Sequence, residues 1–110
     1  MGKLINMTPH DVVVYDDGGE IMVTIPASGQ IARCAETSSP AGEFNGIPLV
    51  RKDYGDIVGL PDEAPDTMYI VSGLVSAAGA KLGRRDLYSP ADLVRNSTGA
   101  VVGCKSLAQA

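Results

Sequence analysis

Residues 67–86 read Thr-Met-Tyr-Ile-Val-Ser-Gly-Leu-Val-Ser-Ala-Ala-Gly-Ala-Lys-Leu-Gly-Arg-Arg-Asp. Thr67–Ser72 is the most apolar run of the chain and predicts a central, buried strand. Leu74, Val75, Ala78 and Leu82 recur at helical spacing, so Gly73–Leu82 predicts one helix with those four on its apolar face. Ser72 suits the N-cap, and Gly83 suits the left-handed residue past the C-terminus. The small residues Ser76, Ala77, Gly79 and Ala80 allow close approach to a sheet or to a second subunit. Arg84-Arg85-Asp86 then forms a charged corner.

This stretch also divides the charge. Residues 1–66 carry four Lys/Arg against eleven Asp/Glu, a balance of −7, while residues 67–110 carry five against two, a balance of +3. The overall charge of −4 argues against general nucleic-acid binding, which needs a broad basic face to displace counterions. One hundred and ten residues make a single domain, 1–110, large enough for a core without staples. With no Trp and one Phe, that core is built from Val, Ile, Leu and Ala. No apolar run approaches the ~20 residues that span a membrane, and Met1–Asn6 has no signal-peptide core. Cys34 and Cys104 fit no zinc spacing and are expected to be reduced, buried and inert.

Outward from the central stretch, glycines and prolines punctuate short apolar runs, which signals β-structure. Asp11–Tyr15 and Glu20–Ile25 flank Asp16-Asp17-Gly18-Gly19 and predict a hairpin. Pro26–Gly29 reads as a turn, and Gln30–Cys34 as the next strand. Residues 35–46 have loop composition, and Ile47–Arg51 with Tyr54–Val58 reads as another short pair. Ser89-Pro90-Ala91-Asp92 either starts a helix or enters a hairpin. The β-branched Val101 and Val102 favour the hairpin, Leu93–Arg95 against Ala100–Cys104 across Asn96–Gly99. The fold class expected is α+β: a mostly antiparallel sheet or small open barrel of six to eight short strands with one packed helix.

Two groups of side chains carry candidate chemistry. His10, the sole histidine, lies in Asn6-Met7-Thr8-Pro9-His10 and reads either as a general base or ligand donor or as part of a structured turn, because Asn6 and Thr8 can bond the local backbone. Arg33, Arg84, Arg85 and Arg95 offer planar donor forks for phosphate or carboxylate, although a helix end welcomes one of the Arg84–Arg85 pair for its own sake. Cofactor and metal motifs are missing, including Gly-x-Gly-x-x-Gly, a Walker loop, His-Glu-x-x-His and Cys-x-x-Cys, so no cofactor and no metal are expected.

Asn6–His10, Pro26–Arg33, Tyr54–Pro61, Tyr69–Ser72, Arg85-Asp86, Val94-Arg95 and Gly99–Cys104 together resemble a family of small tailed-phage and prophage proteins with an N-terminal Asn-x-Thr-Pro-His motif. The resemblance covers residues 4–107 and transfers no catalytic residue. It implies a setting in the cytoplasm of an infected bacterial host. By analogy of class, small phage proteins there often act on host defences, and some sequester the nucleotide signals of bacterial immunity.

The function expected is therefore a non-enzymatic, self-associating sponge for a small anionic, nucleotide-like ligand. Arg84, Arg85, Arg95 and Arg33 would contact phosphate, Thr8 and His10 base or ribose, and Tyr69 or Tyr88 would stack. One alternative is a phage structural or accessory protein acting through protein contacts, marked by an exposed apolar patch. Another is a hydrolase of such a signal that uses His10.

Overall fold

Asparagine and aspartate side chains turn the chain twice in the same way. Asp16 Oδ1 accepts the N–H groups of Gly18 and Glu20 at 2.9 and 3.0 Å. Asn96 Oδ1 accepts those of Thr98 and Ala100 at 3.0 and 3.1 Å. Each closes a hairpin expected from the sequence. The computed structural model describes residues 2–110. Its elements are β1 (Lys3–Asn6), β2 (Val12–Tyr15), β3 (Ile21–Ile25), β4 (Arg33–Phe44), β5 (Ile47–Val58), β6 (Thr67–Ile70), α1 (Gly73–Lys81), β7 (Leu87–Arg95) and β8 (Val101–Ala108). Ser89–Asp92 is thus strand, not helix, and Pro90 pairs in register with Leu107.

Six strands form one sheet in the order β1-β6-β7-β8-β2-β3, and β4-β5 form a separate ribbon. The fold is α+β and rich in antiparallel ladders, without a closed barrel. The sheet stays open, but its edges are tied at one end, where Asn6 bridges Ala27 and accepts the Ser28 N–H at 3.0 Å. Because side chains alternate along a strand, β6 is buried on both faces. Tyr69 and Val71 join Met7, Ala32, Cys34, Val75 and Leu87 on one side, and Ile70 joins Val12, Val14 and Cys104 on the other. The strand read as central lies second in the sheet, between the edge strand β1 and β7, and its residues enter both core clusters. Both cysteines are free and buried, and burial pushes the Cys104 thiol above its ordinary range.

The helix forms where its caps predict. Ser72 accepts the Val75 N–H at 3.3 Å, and Gly83 takes φ +83°. Its buried face meets the expected apolar one only in part. Val75 is buried and Ala78 packs half-buried against the core, but Ser76 and Gly79 face inward beside them, while Leu74 and Leu82 are exposed. Small residues win because the helix lies so close to β7 that a Cβ on Gly79 would stand 2.2 Å from Leu87 Cδ1.

The largest departure from the sequence reading is residues 30–58. Gln30–Ala32 is not strand, and residues 35–46 are not a loop. Arg33–Phe44 pairs with Ile47–Val58 from Arg33↔Val58 to Phe44↔Ile47. Asn45 and Gly46 turn the ribbon with φ +48° and +81°, the two positive values that a tight hairpin turn demands. Each strand has 12 residues, and the ribbon stretches the molecule to 51 × 39 × 23 Å. The radius of gyration is 16.6 Å, against about 13 Å for a compact chain of this length. The ribbon is an arm.

Candidate functional site

Asn6 is 1% exposed, and both ends of its side chain are engaged. Its amide donates to the carbonyls of His10 at 2.8 Å and Ile25 at 3.0 Å. Its Oδ1 accepts the Thr8 N–H at 2.9 Å and lies 2.6 Å from the Thr8 hydroxyl. That hydroxyl also lies 2.9 Å from the His10 carbonyl. The Asn-x-Thr-Pro-His motif is thus a knot that closes the β1–β2 turn and grips β3. It uses the His10 carbonyl and leaves the imidazole exposed.

The eight predicted site residues do not share one pocket within a subunit. Thr8 and His10 line a largely apolar cavity of ≈ 420 Å³ with Ser72, Leu93 and Val102. Arg84 and Arg85 line another, of ≈ 330 Å³, with Gln109. The nine residues of α1 set these two ends about 13 Å apart, at ~1.5 Å of rise per residue. Arg33 is exposed at the root of the arm, opposite Val58. Arg95 donates to the Gly99 carbonyl at 2.8 Å within its hairpin. Tyr69 is 3% exposed with its hydroxyl 3.5 Å from the Asp62 carbonyl, so the core holds it and it cannot stack on a ligand.

Arg84 serves the fold. Its guanidinium donates twice to Asp86, at 2.9 and 2.8 Å, and once to the Pro61 carbonyl at 3.0 Å. Glu63 adds a contact at 3.5 Å. The Arg84 hydrogen bond holds the Asp86 carboxyl below its usual range. A carboxylate depressed in the folded state contributes stability above its unfolded value near 4 and loses it as pH falls further. Replacing Arg84 by methionine should therefore cost about 2 kcal/mol at pH 7. In urea titrations that difference from wild type should shrink steadily below pH ~4.

Arg85 differs. It is exposed and belongs to no ion pair among the described residues. Gln109 donates to its carbonyl, which fixes the backbone of this corner. At the same end of the sheet lies a mostly apolar cavity of ≈ 440 Å³, lined by Leu4, Met68, Tyr88 and Leu107, with Lys3 and Asp66 also in its wall. Ser89 faces Ala108 and Pro90 faces Leu107, so the two cavities lie at the same end of β7 and β8, but they share no lining residue. Tyr88 therefore lines one cavity with Lys3, which the sequence reading did not single out, and Arg84 and Arg85 line the other. Among the described residues, no group of three His, Cys, Asp or Glu side chains could hold a metal. No helix is long and apolar enough to cross a membrane.

A second feature escaped the sequence reading: the cleft between the root of the arm and α1. It measures ≈ 480 Å³ and is lined by Lys52, Tyr54, Leu74, Lys81 and Leu82 among others. Lys52 pairs with Glu36 at 3.0 Å, whose hydrogen bond raises the lysine's pKa. Phe44, Ile47, Leu49, Val50 and Tyr54 leave the arm apolar and exposed. The Asn45-Gly46 pair was the signal that could have revealed it. The chain matches no protein-family model, no curated protein and no solved structure.

Proposed function

We propose that this chain is a phage-encoded, non-enzymatic binding protein that sequesters a small anionic, nucleotide-like ligand in the cytoplasm of an infected bacterium. The observation that carries it is the ≈ 440 Å³ cavity walled by Leu4, Met68, Tyr88 and Leu107 with Lys3 in its wall, while the unpaired Arg85 lines a separate cavity at the same strand ends. Ligand sites are commonly apolar clefts of roughly 300–1,000 Å³ with a few polar groups. Tyr88 offers a ring for stacking, Lys3 and Arg85 offer positive charge for phosphate, and Asp66 suits a ribose hydroxyl. Thr8 and His10 line a different cavity and the Thr8 hydroxyl is committed to the Asn6–His10 knot, so neither residue belongs to this site.

Calorimetry and thermal shift against cyclic dinucleotides, cyclic trinucleotides and cyclic ADP-ribose isomers test this directly. One class should bind at micromolar concentration or tighter. Arg85→Ala should weaken it about tenfold or more, the loss expected for a hydrogen bond to a charged group. No binding anywhere in the panel at micromolar concentration would reject the ligand. Mass spectrometry of the ligand released by heat should return it intact, and a hydrolysed product would favour the hydrolase alternative.

A second reading, action through protein contacts alone, is favoured by the exposed apolar side chains of the arm. Co-purification of a host or virion protein, with no small molecule released on denaturation, would select it.

A further inference from the structure

We infer that a second copy of this chain covers the arm, by reciprocal exchange about a two-fold axis. The tip of each arm, Glu43, Phe44 and Ile47, fills the cleft between α1 and the arm root of the other copy. This inference stands on the arm alone and goes beyond the ligand reading.

The first ground is need. A two-stranded ribbon is marginally stable in water by itself. Along this one only Cys34 is buried and Ile57 half-buried, both at the root. At the tip Phe44 is 64% and Ile47 60% exposed.

The second ground is fit. The cleft presents the exposed apolar side chains Leu74 and Leu82, which suit Phe44 and Ile47. Of the charged groups in its wall, Lys52, Asp53, Asp56 and Lys81, Lys81 is the lysine in no ion pair among the described residues, and it suits Glu43. The tip is one end of the arm, and the cleft runs from its middle, at Lys52, to its root at Ile57. Two arms laid antiparallel therefore satisfy both tips at once, which is the self-complementary contact of a two-fold dimer.

The third ground is area. Twelve residues at ~3.4 Å each give an arm about 40 Å long, and two strands give it a face roughly 10 Å wide. Two such faces laid together bury about 800 Å² in total, to which the α1 walls of the two clefts add, and that is the size of a weak, concentration-dependent interface.

Sedimentation velocity on the full chain tests the inference. The wild type should run at twice the mass of the chain. Glu43→Lys and Lys81→Glu should each weaken the dimer about tenfold, and the double variant Glu43→Lys/Lys81→Glu should recover most of that loss. The exposed positions let the variants keep the wild-type far-ultraviolet circular dichroism, which separates lost association from lost folding. A wild type that is monomeric at high micromolar concentration would overturn the inference. So would a trimer or larger ring, a double variant as weak as the singles, or a dimer unchanged by Phe44→Ser/Ile47→Ser. None of these outcomes bears on ligand titration, so failure here and failure of the ligand reading are told apart.

Discussion

Replacing Asn6 by alanine should remove about 3–5 kcal/mol of stability, read as the shift in the urea midpoint. Alanine takes away two amide donors and one carbonyl-type acceptor at a position 1% exposed. The Ile25 carbonyl and the Thr8 N–H then lose this partner together, and the His10 carbonyl keeps only the Thr8 hydroxyl. Each buried group left unsatisfied costs about 1–3 kcal/mol, and a domain of this kind holds only about 5–15 kcal/mol in total. The same side chain ties the β1–β2 turn to β3, so its loss loosens the point where the sheet edges meet. His10→Ala is the informative companion. Only the His10 carbonyl is used, and alanine keeps it, so the change should stay within about 0.5 kcal/mol. If His10→Ala were the damaging substitution and Asn6→Ala the mild one, the structural account of the motif would be wrong.

Gly103→Ala should cost about 3 kcal/mol or prevent folding. A Cβ there would stand 2.5 Å from the Val13 carbonyl oxygen and 2.5 Å from Tyr15 Cε2. The tyrosine ring can swing away, but the carbonyl cannot move without shifting β2. The parallel contact of β2 with β8 rests on the single register pair Val14↔Cys104, one residue from the clash. It joins the β2–β3 hairpin to the rest of the sheet. Overpacking a well-filled site costs about 1–3 kcal/mol and occasionally more, and a backbone neighbour puts this one at the upper end. Gly73→Ala is the control. Nothing lies within 4 Å of its Cβ, and alanine in the first turn of a helix should be neutral or stabilising by up to about 1 kcal/mol.

The parts of the fold that were legible in the sequence are those whose cause is local. Asp16–Gly19 and Asn96–Gly99 carry their own hydrogen-bonding side chains and glycines, so both hairpins could be read directly. Ser72 and Gly83 likewise bound the helix without help from the rest of the chain. Its buried face was not local. The approach of β7 selected Gly79 and Ser76 over the more hydrophobic Leu74 and Leu82. The arm was hidden for a different reason. A ribbon exposed on both faces shows no apolar–polar alternation, and Ser38, Ser39, Pro40 and Gly42 imitate a loop. Only Asn45-Gly46 pointed to its turn, and the pairing partner began just beyond it.

The candidate site was legible as residue types and illegible as a place. Arg84, Arg85 and His10 each looked capable of binding, but their separation depends on which end of α1 each one meets. The helix end accounted for only one of the adjacent arginines. Asp86 separates them, because its carboxylate captures Arg84 and leaves Arg85 open.

The most direct measurement of the ligand account is a calorimetric titration of the tightest member of the nucleotide panel into four variants beside the wild type. Arg85→Ala and Tyr88→Ala should each weaken binding about tenfold or more, while Arg33→Ala and Arg95→Ala should bind as the wild type does. Binding that survives Arg85→Ala and Tyr88→Ala but fails in Arg33→Ala or Arg95→Ala would contradict the account and place the ligand elsewhere on the molecule.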